Sequence, residues 1–229
     1  MYENSYVSVI IPCLNEEEGI GICLNKIISV FKTYKINGEI IVVDNGCTDN
    51  TINIVKSFNS ANIKIVKELK KGYGNAYKSG FKEAKGEIII VGDGDNSYDF
   101  YDIPRFLKAI KNYDFVLGNR AVIDIGAMPF LHKYIGRPMF YFLMRNLFNL
   151  EISDSHCGFA AIRKEALRKL NLKSSGMEFA SEILIKAKKN NLKISEIPIT
   201  YYPRMGKSKL RTLHDGLRHL NLIILERMH

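Results

Sequence analysis

Apolar residues in the first half of the chain cluster in four short runs that are rich in β-branched side chains. The runs are residues 7–11, 39–43, 63–66 and 87–91. Their near-continuous apolar character is typical of strands that are covered on both faces of a sheet. Three intervening segments space their apolar residues by three and four, as amphipathic helices do. These segments are residues 16–32, 51–58 and 73–84. The alternation of strand and helix predicts a mostly parallel α/β sheet with right-handed crossovers.

The second half of the chain has a more mixed pattern. Its periodicity predicts helices over 102–111 and 181–189, and strands over 114–118, 157–162 and 193–199. Residues 132–150 interleave aromatic side chains with Arg and Lys, and the segment from Leu210 to the end has the spacing of a basic amphipathic helix. No linker separates the two halves, so we expect a single domain over 1–229.

Charge narrows the range of partners. The 229 residues carry a formal net charge of +9, with 46% apolar residues for a sizeable core. A surface this basic prefers an anionic partner such as a nucleotide, a nucleic acid or a lipid headgroup. A nucleic-acid-binding module is one function class that is consistent with this charge. The sequence has no helix-turn-helix, RNA-recognition or OB pattern, so we expect no nucleic-acid partner.

The cysteines and the N-terminal sequence indicate the cellular compartment. The cysteines at 13, 23, 47 and 157 form no CxxC pair, which excludes a zinc ribbon and a thioredoxin-like motif. Reduced, mostly buried thiols fit a cytosolic protein. The N-terminus lacks the order of a signal peptide, and no apolar run approaches the ~18 residues that a membrane span needs.

Polar residues that directly follow the predicted strands are the candidates for chemistry, because ligands of open parallel sheets bind beyond the carboxyl ends of the strands. Glu16, Glu17 and Glu18 follow the first strand, where acidic residues also suit a helix N-terminus. Asp49 is explained as a helix cap. Capping does not explain Asp44, which is placed to accept hydrogen bonds from a base or ribose.

Asp93 and Asp95 follow the fourth strand and are separated by Gly94. Two carboxylates one residue apart repel each other unless a positive charge lies beside them. A hard divalent cation with oxygen ligands meets that need, and it would carry phosphates as its other ligands. The alternative is an ordinary polar turn that closes a strand. The position at the end of a central buried strand favours the metal and diphosphate site.

Six motifs together resemble family 2 glycosyltransferases of the GT-A fold. Three lie at strand ends in the first half: Pro12-Cys13-Leu14-Asn15-Glu16, Asp44-Asn45-Gly46-Cys47-Thr48-Asp49 and Asp93-Gly94-Asp95. Three lie in the second half: Gly118-Asn119-Arg120, Asp154-Ser155-His156-Cys157-Gly158-Phe159 and Arg204-Met205-Gly206-Lys207-Ser208-Lys209. The last is similar to a loop of the dolichyl-phosphate mannose and glucose synthases. The resemblance covers essentially the whole chain. It implies a three-layer, Rossmann-like fold with a mostly parallel central sheet and C-terminal amphipathic helices.

The resemblance also implies roles for individual residues. It implies a nucleotide-sugar site formed by Pro12, Leu14, Glu16, Val42, Asp44, Asp93, Gly94, Arg204 and Lys209. It assigns catalytic roles to Asp95, Arg120 and Asp154, and a divalent metal, Mg²⁺ or Mn²⁺, to Asp95 with Ser97. Arg120 would face the acceptor phosphate, and Asp154 would orient that arginine or contact the sugar. Asn45 and Leu14 depart from the family pattern, which often has Asp and an aromatic residue at these positions.

The implied reaction is an inverting transfer of a hexose from GDP-mannose or UDP-glucose to a polyprenyl phosphate at the cytoplasmic face of the membrane. A phosphate nucleophile is already ionised and needs arginines to hold it rather than a strong base. Arg120, Arg137 and Arg204 are the candidates. The segment 132–150 and the basic C-terminal helix predict peripheral contact with an anionic membrane. On this interpretation residues 1–120 bind the nucleotide sugar and residues 121–229 face the acceptor and the membrane.

Several alternatives stay open at this point. The same enzyme class can act on a soluble saccharide or a protein, with Asp154 as the candidate base. A sugar nucleotidyltransferase is disfavoured because no glycine-rich phosphate loop lies near the N-terminus. The segment 132–150 is also consistent with a core helix. For His156 we favour a hydrogen-bonded turn residue over a catalytic one.

Overall fold

β-branched runs form the strands at the centre of the fold. A computed structural model describes residues 5–209 and 211–228. Its first half contains β1 (Val7–Cys13), α1 (Ile20–Tyr34), β2 (Gly38–Asp44), α2 (Thr51–Ser57), β3 (Ile63–Lys67), α3 (Tyr73–Glu83) and β4 (Ile88–Val91). Its second half contains α4 (Ile103–Ala109), β5 (Phe115–Ile123), α5 (Arg137–Phe148), β6 (Ala160–Arg163), α6 (Lys164–Leu167), α7 (Phe179–Lys189), β7 (Ile194–Tyr201) and α8 (Thr212–Met228).

The seven strands form one sheet in the order β3-β2-β1-β4-β6-β5-β7. β1 pairs in parallel with both β2 and β4, and β5 pairs in parallel with β7. β6 is antiparallel to both of its neighbours and joins the two parallel parts of the sheet. The mostly parallel sheet predicted from the sequence is therefore confirmed, with one reversed strand near its middle.

The core surrounds the central strands on both faces. Successive residues of β1 and β2 are buried, although their side chains alternate between the faces. Burial on both faces requires helices on either side of the sheet. Tyr77, Phe81 and Phe179 pack together between α3 and α7, and the rings of Tyr77 and Phe179 are stacked with centroids 5.5 Å apart.

The largest differences from the sequence-based expectation are at the start of α1 and at the end of β5. α1 begins at Ile20 rather than near 16, because residues 16–19 form a turn in which Glu16 O accepts from the backbone N–H groups of Gly19 and Ile20. β5 extends to Ile123 beyond the predicted end at 118, because its polar continuation pairs with β7. Leu210, the first residue of the predicted C-terminal helix, and His229, its last, lie outside the described residues.

The segment 132–150 serves both the core and the surface. A π-helical turn, His132–Gly136, leads into α5. Phe140 and Met144 are buried in the core, whereas the side chain of Phe142 is 65% exposed. Among the helices in the described ranges, none is both long and apolar enough to cross a membrane.

Candidate functional site

The turns that follow β1 and β2 are hydrogen-bonded to each other at the carboxyl ends of these strands. Asn15 Oδ1 accepts a hydrogen bond from the backbone N–H of Thr48 at 2.7 Å. Asp44, at the end of β2, uses Oδ1 to accept from the backbone N–H groups of Gly46 and Cys47 at 3.0 and 2.8 Å. These bonds close the second turn and fix the Asp44 carboxylate at the sheet edge. The turn after β1 holds Glu16, which is 8% exposed.

Asp93 and Asp95 follow β4 at the same edge. Asp95 is 4% exposed, and its Oδ1 accepts from the backbone N–H of Ser97 at 3.0 Å and from Ser97 Oγ at 2.6 Å. Gly94 is buried and brings this turn against Cys13. The hydroxyl of Tyr73 lies 3.5 Å from Asp93 Oδ1. We call Glu16, Asp93 and Asp95 the acidic cluster.

Crowding of the acidic cluster changes its protonation. Burial raises the pKa of Asp93 to about 7, and the negative charges of Asp95 and Glu16 add to the shift. Burial also raises the pKa of Glu16, although its hydrogen bond and charge contact with Lys209 oppose the change. Glu16 Oε2 is buried without a hydrogen-bond partner among the described residues. Burial and mutual repulsion thus make Asp93 and Glu16 hold their protons more readily than exposed carboxyl groups do.

Residues 202–209, which follow β7, lie across the acidic cluster, and we call them the closing segment. The backbone N–H of Met205 donates to Asp95 O at 2.9 Å. Arg204 Nη2 lies 3.2 Å from Asp95 Oδ2 and 3.4 Å from Glu16 Oε1. Lys209 Nζ donates to Glu16 Oε1 at 2.6 Å and to Asn15 O at 2.8 Å. Cations from the closing segment thus meet carboxylates that follow β1 and β4.

A second charged group lies beside β5. Arg120 donates from Nε and Nη2 to the two carboxylate oxygens of Asp154, both at 2.7 Å, and its backbone N–H donates to Oδ2 at 3.0 Å. Arg137 Nε lies 3.5 Å from Asp154 Oδ1. Arg137 also donates to Arg120 O at 3.3 Å and Asn119 Oδ1 at 3.4 Å. We call Arg120 and Arg137 the arginine pair.

The ion pair keeps Asp154 charged although its side chain is fully buried. Burial alone would raise the pKa of Asp154, but the hydrogen bonds and charge of Arg120 outweigh it and lower the pKa. Burial likewise opposes the Arg120 charge, and Asp154 raises the pKa of that guanidinium well above its ordinary value. The arrangement therefore fixes a permanent cation, with the guanidinium 5.0 Å from the centre of the Tyr201 ring.

His156 takes part in a buried polar contact. Its Nδ1 is 2.9 Å from Ser155 Oγ, and its Nε2 is 3.2 Å from His219 Nδ1 on α8. Ser181 Oγ on α7 is 2.7 Å from the same His219 atom. Burial lowers the pKa of His156 well below its usual value and lowers that of His219 to about 4. His156 is thus a hydrogen-bonded turn residue that joins three elements.

The structure brings most of the predicted site residues to one edge of the sheet. Val42 is different, because its side chain is fully buried in the core of β2. Ser97 is also fully buried and directs its hydroxyl at Asp95, so it holds that carboxylate in place. Sequence patterns did not single out Tyr73 or Tyr201, since aromatic residues beside a strand or helix usually indicate core. Nor did they single out Glu196, whose carboxylate accepts from the backbone N–H of Asp154.

Comparison with known proteins gives these contacts a family context. Residues 8–170 match the family model described as Glycosyl transferase family 2. The chain belongs to this family. It is 34% identical over 223 residues to the low-salt glycan biosynthesis hexosyltransferase Agl6 of Haloferax volcanii, covering 96% of this chain and 53% of the relative. It is also 34% identical over 223 residues to a dolichol-phosphate mannosyltransferase of Pyrococcus furiosus, covering 93% of this chain and 62% of the relative.

Solved structures support the fold assignment. Glucosyl-3-phosphoglycerate synthase of Mycobacterium tuberculosis, in complex with Mn²⁺, UDP and phosphoglyceric acid, superimposes with a TM-score of 0.76 at 20% sequence identity. The similarity covers 98% of this chain and 78% of that one. The GT-A fold expected from the sequence motifs is therefore confirmed. The chain spans between about half and three fifths of the length of the two relatives described above.

Proposed function

We propose that this chain is a metal-dependent, inverting glycosyltransferase that moves a hexose from a nucleotide-diphosphate sugar to a polyprenyl phosphate. One observation supports the proposal above the others. The protein contains an acidic cluster, which Arg204 and Lys209 of the closing segment contact, and also a separate pair of buried or half-buried arginines at β5. An acidic cluster suits a divalent metal and a diphosphate. A fixed pair of guanidinium groups suits a second phosphate.

The acidic cluster fits a hard divalent cation such as Mg²⁺ or Mn²⁺. Its carboxylate oxygens are the right ligand type, and Glu16 Oε2 is buried with no hydrogen-bond partner in the part of the chain that the structure describes. Groups of three or more His, Cys, Asp or Glu side chains arranged for a metal are absent from residues 5–209 and 211–228. We therefore infer that Asp95 is the main protein ligand and that donor phosphates complete the coordination. The bound cation would offset the charge that develops on the leaving nucleotide diphosphate.

The chain's own residues divide the remaining work. Arg204 and Lys209 would bind the donor phosphates, and Asp44 would accept hydrogen bonds from the base or ribose. The arginine pair would hold the acceptor phosphate so that one of its oxygens attacks the anomeric carbon in line and inverts it. Asp154 serves as an orienting group for Arg120, because both of its oxygens already accept charged hydrogen bonds. A phosphate nucleophile needs no general base.

A lipid acceptor requires contact with a membrane surface. The turn before α5 exposes Phe130, Leu131, Tyr134 and Ile135, each by 55% or more. His132 Nε2 lies 3.1 Å from Thr212 Oγ1 and thus connects this turn to the start of α8, where Leu213 is 83% exposed. Exposed aromatic groups among basic residues fit the interface of an anionic bilayer. We propose peripheral binding at the cytoplasmic face, and the relative named dolichol-phosphate mannosyltransferase supports a lipid acceptor.

A soluble acceptor is the second candidate. The structurally similar glucosyl-3-phosphoglycerate synthase was solved with phosphoglyceric acid, which is itself a phosphate compound. The arginine pair suits such an acceptor as well as a lipid phosphate. A neutral saccharide or a protein hydroxyl is less well served, since Asp154 is engaged by Arg120 and is not free to act as a base.

A transfer assay with separate donors and acceptors tests the proposal. Labelled UDP-glucose or GDP-mannose is incubated with Mn²⁺ or Mg²⁺ and with polyprenyl phosphate, phosphoglyceric acid or a neutral saccharide. We expect label in the organic phase, its loss with EDTA, and its loss in Asp95→Asn but not in the exposed control Asp124→Asn. Transfer to the soluble acceptors alone would contradict the proposed lipid acceptor. Full activity in EDTA would contradict the proposed dependence on a metal.

Vesicle flotation tests membrane contact separately. We expect binding to vesicles with anionic lipids to exceed binding to neutral vesicles and to fall in Phe142→Asp. Tyr34→Asp is the matched control, because Tyr34 is 50% exposed on α1, outside the α5 and α8 surface. Equal flotation of the wild type with both vesicle types would contradict the electrostatic part of the argument.

A further inference from the structure

One buried carboxamide holds the loop between β3 and α3. Asn45, which directly follows β2, is 4% exposed. Its Nδ2 donates to Glu68 O at 3.1 Å and to Lys70 O at 3.0 Å, and its Oδ1 accepts from the backbone N–H of Gly72 at 2.8 Å. We call residues 68–72 the β3–α3 loop. Two donors and one acceptor are needed here, and a carboxylate cannot supply the donors.

The β3–α3 loop lies at the Asp44 end of the proposed donor site. The backbone N–H of Glu68 donates to Asp44 O at 2.9 Å, and that of Asn45 donates to Cys13 O at 3.0 Å. Lys71 is exposed, and its Cε lies 3.4 Å from where a Cβ on Gly46 would be. Its ammonium forms no hydrogen bond or ion pair with any described residue. The loop thus carries an unengaged cation over the turn that Asp44 closes.

The Gly72 end of the β3–α3 loop packs closely against Ser175, which precedes α7. Gly72 has φ 138°, and a Cβ there would lie 2.2 Å from Ser175 O. α3 begins at the next residue, Tyr73, whose hydroxyl faces Asp93. Movement of the loop away from Asn45 would therefore shift both Lys71 and the start of α3.

We propose that Asn45 is a positioning residue for nucleotide binding: its carboxamide fixes the β3–α3 loop so that the Lys71 ammonium meets an oxygen acceptor of the nucleotide. The proposal rests on the donor assignment made above and adds to it the group that recognises the nucleotide. The acceptor oxygen belongs either to a phosphate or to the base. Lys71 contacts the ligand, whereas Asn45 acts through the loop.

Limited proteolysis tests the position of the β3–α3 loop in a way that does not depend on an assay of enzymatic activity. Trypsin cuts after Lys70 and Lys71, and cleavage after Lys35 serves as an internal reference. In Asn45→Asp the carboxylate faces two carbonyl oxygens, so we expect cleavage at the loop to rise about 10-fold or more relative to Lys35. Asn45→Leu removes the same bonds without adding charge and should behave alike. Asn190→Asp is the matched control, because its exposed amide donates to a single backbone carbonyl, Lys186 O.

Nucleotide binding tests the purpose of the loop. With Mn²⁺ present, we expect the Kd of UDP or GDP to rise about 10-fold in Asn45→Leu and Lys71→Met and to stay unchanged in Asn190→Asp. Saturating nucleotide should restore wild-type cleavage in Asn45→Leu, because the ligand selects the ordered loop. In transfer, the donor KM should rise more than kcat falls. Comparison of UDP with UMP and uridine, or GDP with GMP and guanosine, locates the Lys71 contact: a loss that persists with the nucleoside indicates the base.

The outcomes separate this inference from the donor proposal. A wild-type protein that binds neither UDP nor GDP overturns the donor proposal. A wild type that binds, together with Asn45 variants of unchanged affinity, overturns the positioning role even where loop cleavage rises. Unchanged cleavage in both folded Asn45 variants overturns the claim that the carboxamide holds the loop.

Discussion

Removal of Arg120 should destabilise the protein strongly, because it leaves a buried charge. The Asp154 side chain is 0% exposed, that of Arg120 is 10% exposed, and three hydrogen bonds join the two residues. Breaking such a pair from one side costs about 3–5 kcal/mol. For a domain of this size about 1 kcal/mol shifts Tm by roughly 2–4 °C, so Arg120→Leu should lower Tm by roughly 6–20 °C.

A double-mutant cycle measures this effect by thermal or urea unfolding. We expect Arg120→Leu and Asp154→Leu each to be severe. The double variant should be no worse than either, since it removes both the buried carboxylate and the guanidinium that binds it and leaves only Arg137, whose side chain is 20% exposed. Arg105→Leu is the control: its ion pair with Asp102 is on the surface, the Arg105 side chain is 49% exposed, and the expected loss is below about 1 kcal/mol. Additive losses in the double variant, or a Tm change of Arg120→Leu no larger than that of the control, would refute the reasoning.

Three further predictions follow from named contacts. The pKa values of His156 and His219 are lower in the folded protein, so just below pH 6.5 only the unfolded chain binds protons at these histidines. The free energy of unfolding should therefore fall as the pH drops from 6.5 toward 4, by about 1.4 kcal/mol per pH unit for each histidine, and urea unfolding of His219→Gln should show a shallower pH dependence. Gly158→Ala places a Cβ 2.7 Å from Asp93 Oδ2, so donor kcat/KM should fall about 10-fold or more in the transfer assay, and an unchanged value would contradict the close approach. Phe179→Ala removes the ring stacked on Tyr77 and should cost about 3–5 kcal/mol in urea unfolding, whereas a loss below about 1 kcal/mol would show that the site collapses without a cavity.

Most helices and strands could be predicted from the sequence because they depend on the local spacing of apolar residues. The four β-branched runs became β1 to β4, and their alternation with helices predicted the parallel pairing. The reversed direction of β6 was not predictable, since a short apolar run carries no information about its orientation. The start of α1 differs because Glu16, Glu17 and Glu18 suit a helix N-terminus, whereas the apolar spacing of the helix begins only at Ile20.

Site contacts were accessible only in part. Strand ends pointed to Asp44, Asp93 and Asp95 without any family knowledge. Arg204 and Lys209 were candidates only through a resemblance, because no local pattern connects them with Glu16. Asn45 looked like a departure from the family pattern, and its three bonds to a loop more than 20 residues away became visible only in three dimensions.

The closing segment has a consequence for the order in which the protein forms during synthesis. Lys209 reaches Glu16 across 193 residues, and Arg204 reaches it across 188. The ribosome releases β1, β2 and β4 long before either cation, so a nascent sheet can assemble while its carboxylates still face solvent. Contacts of such large separation form late and slowly. The protein would therefore complete the contacts between the closing segment and the acidic cluster only after most of its core exists.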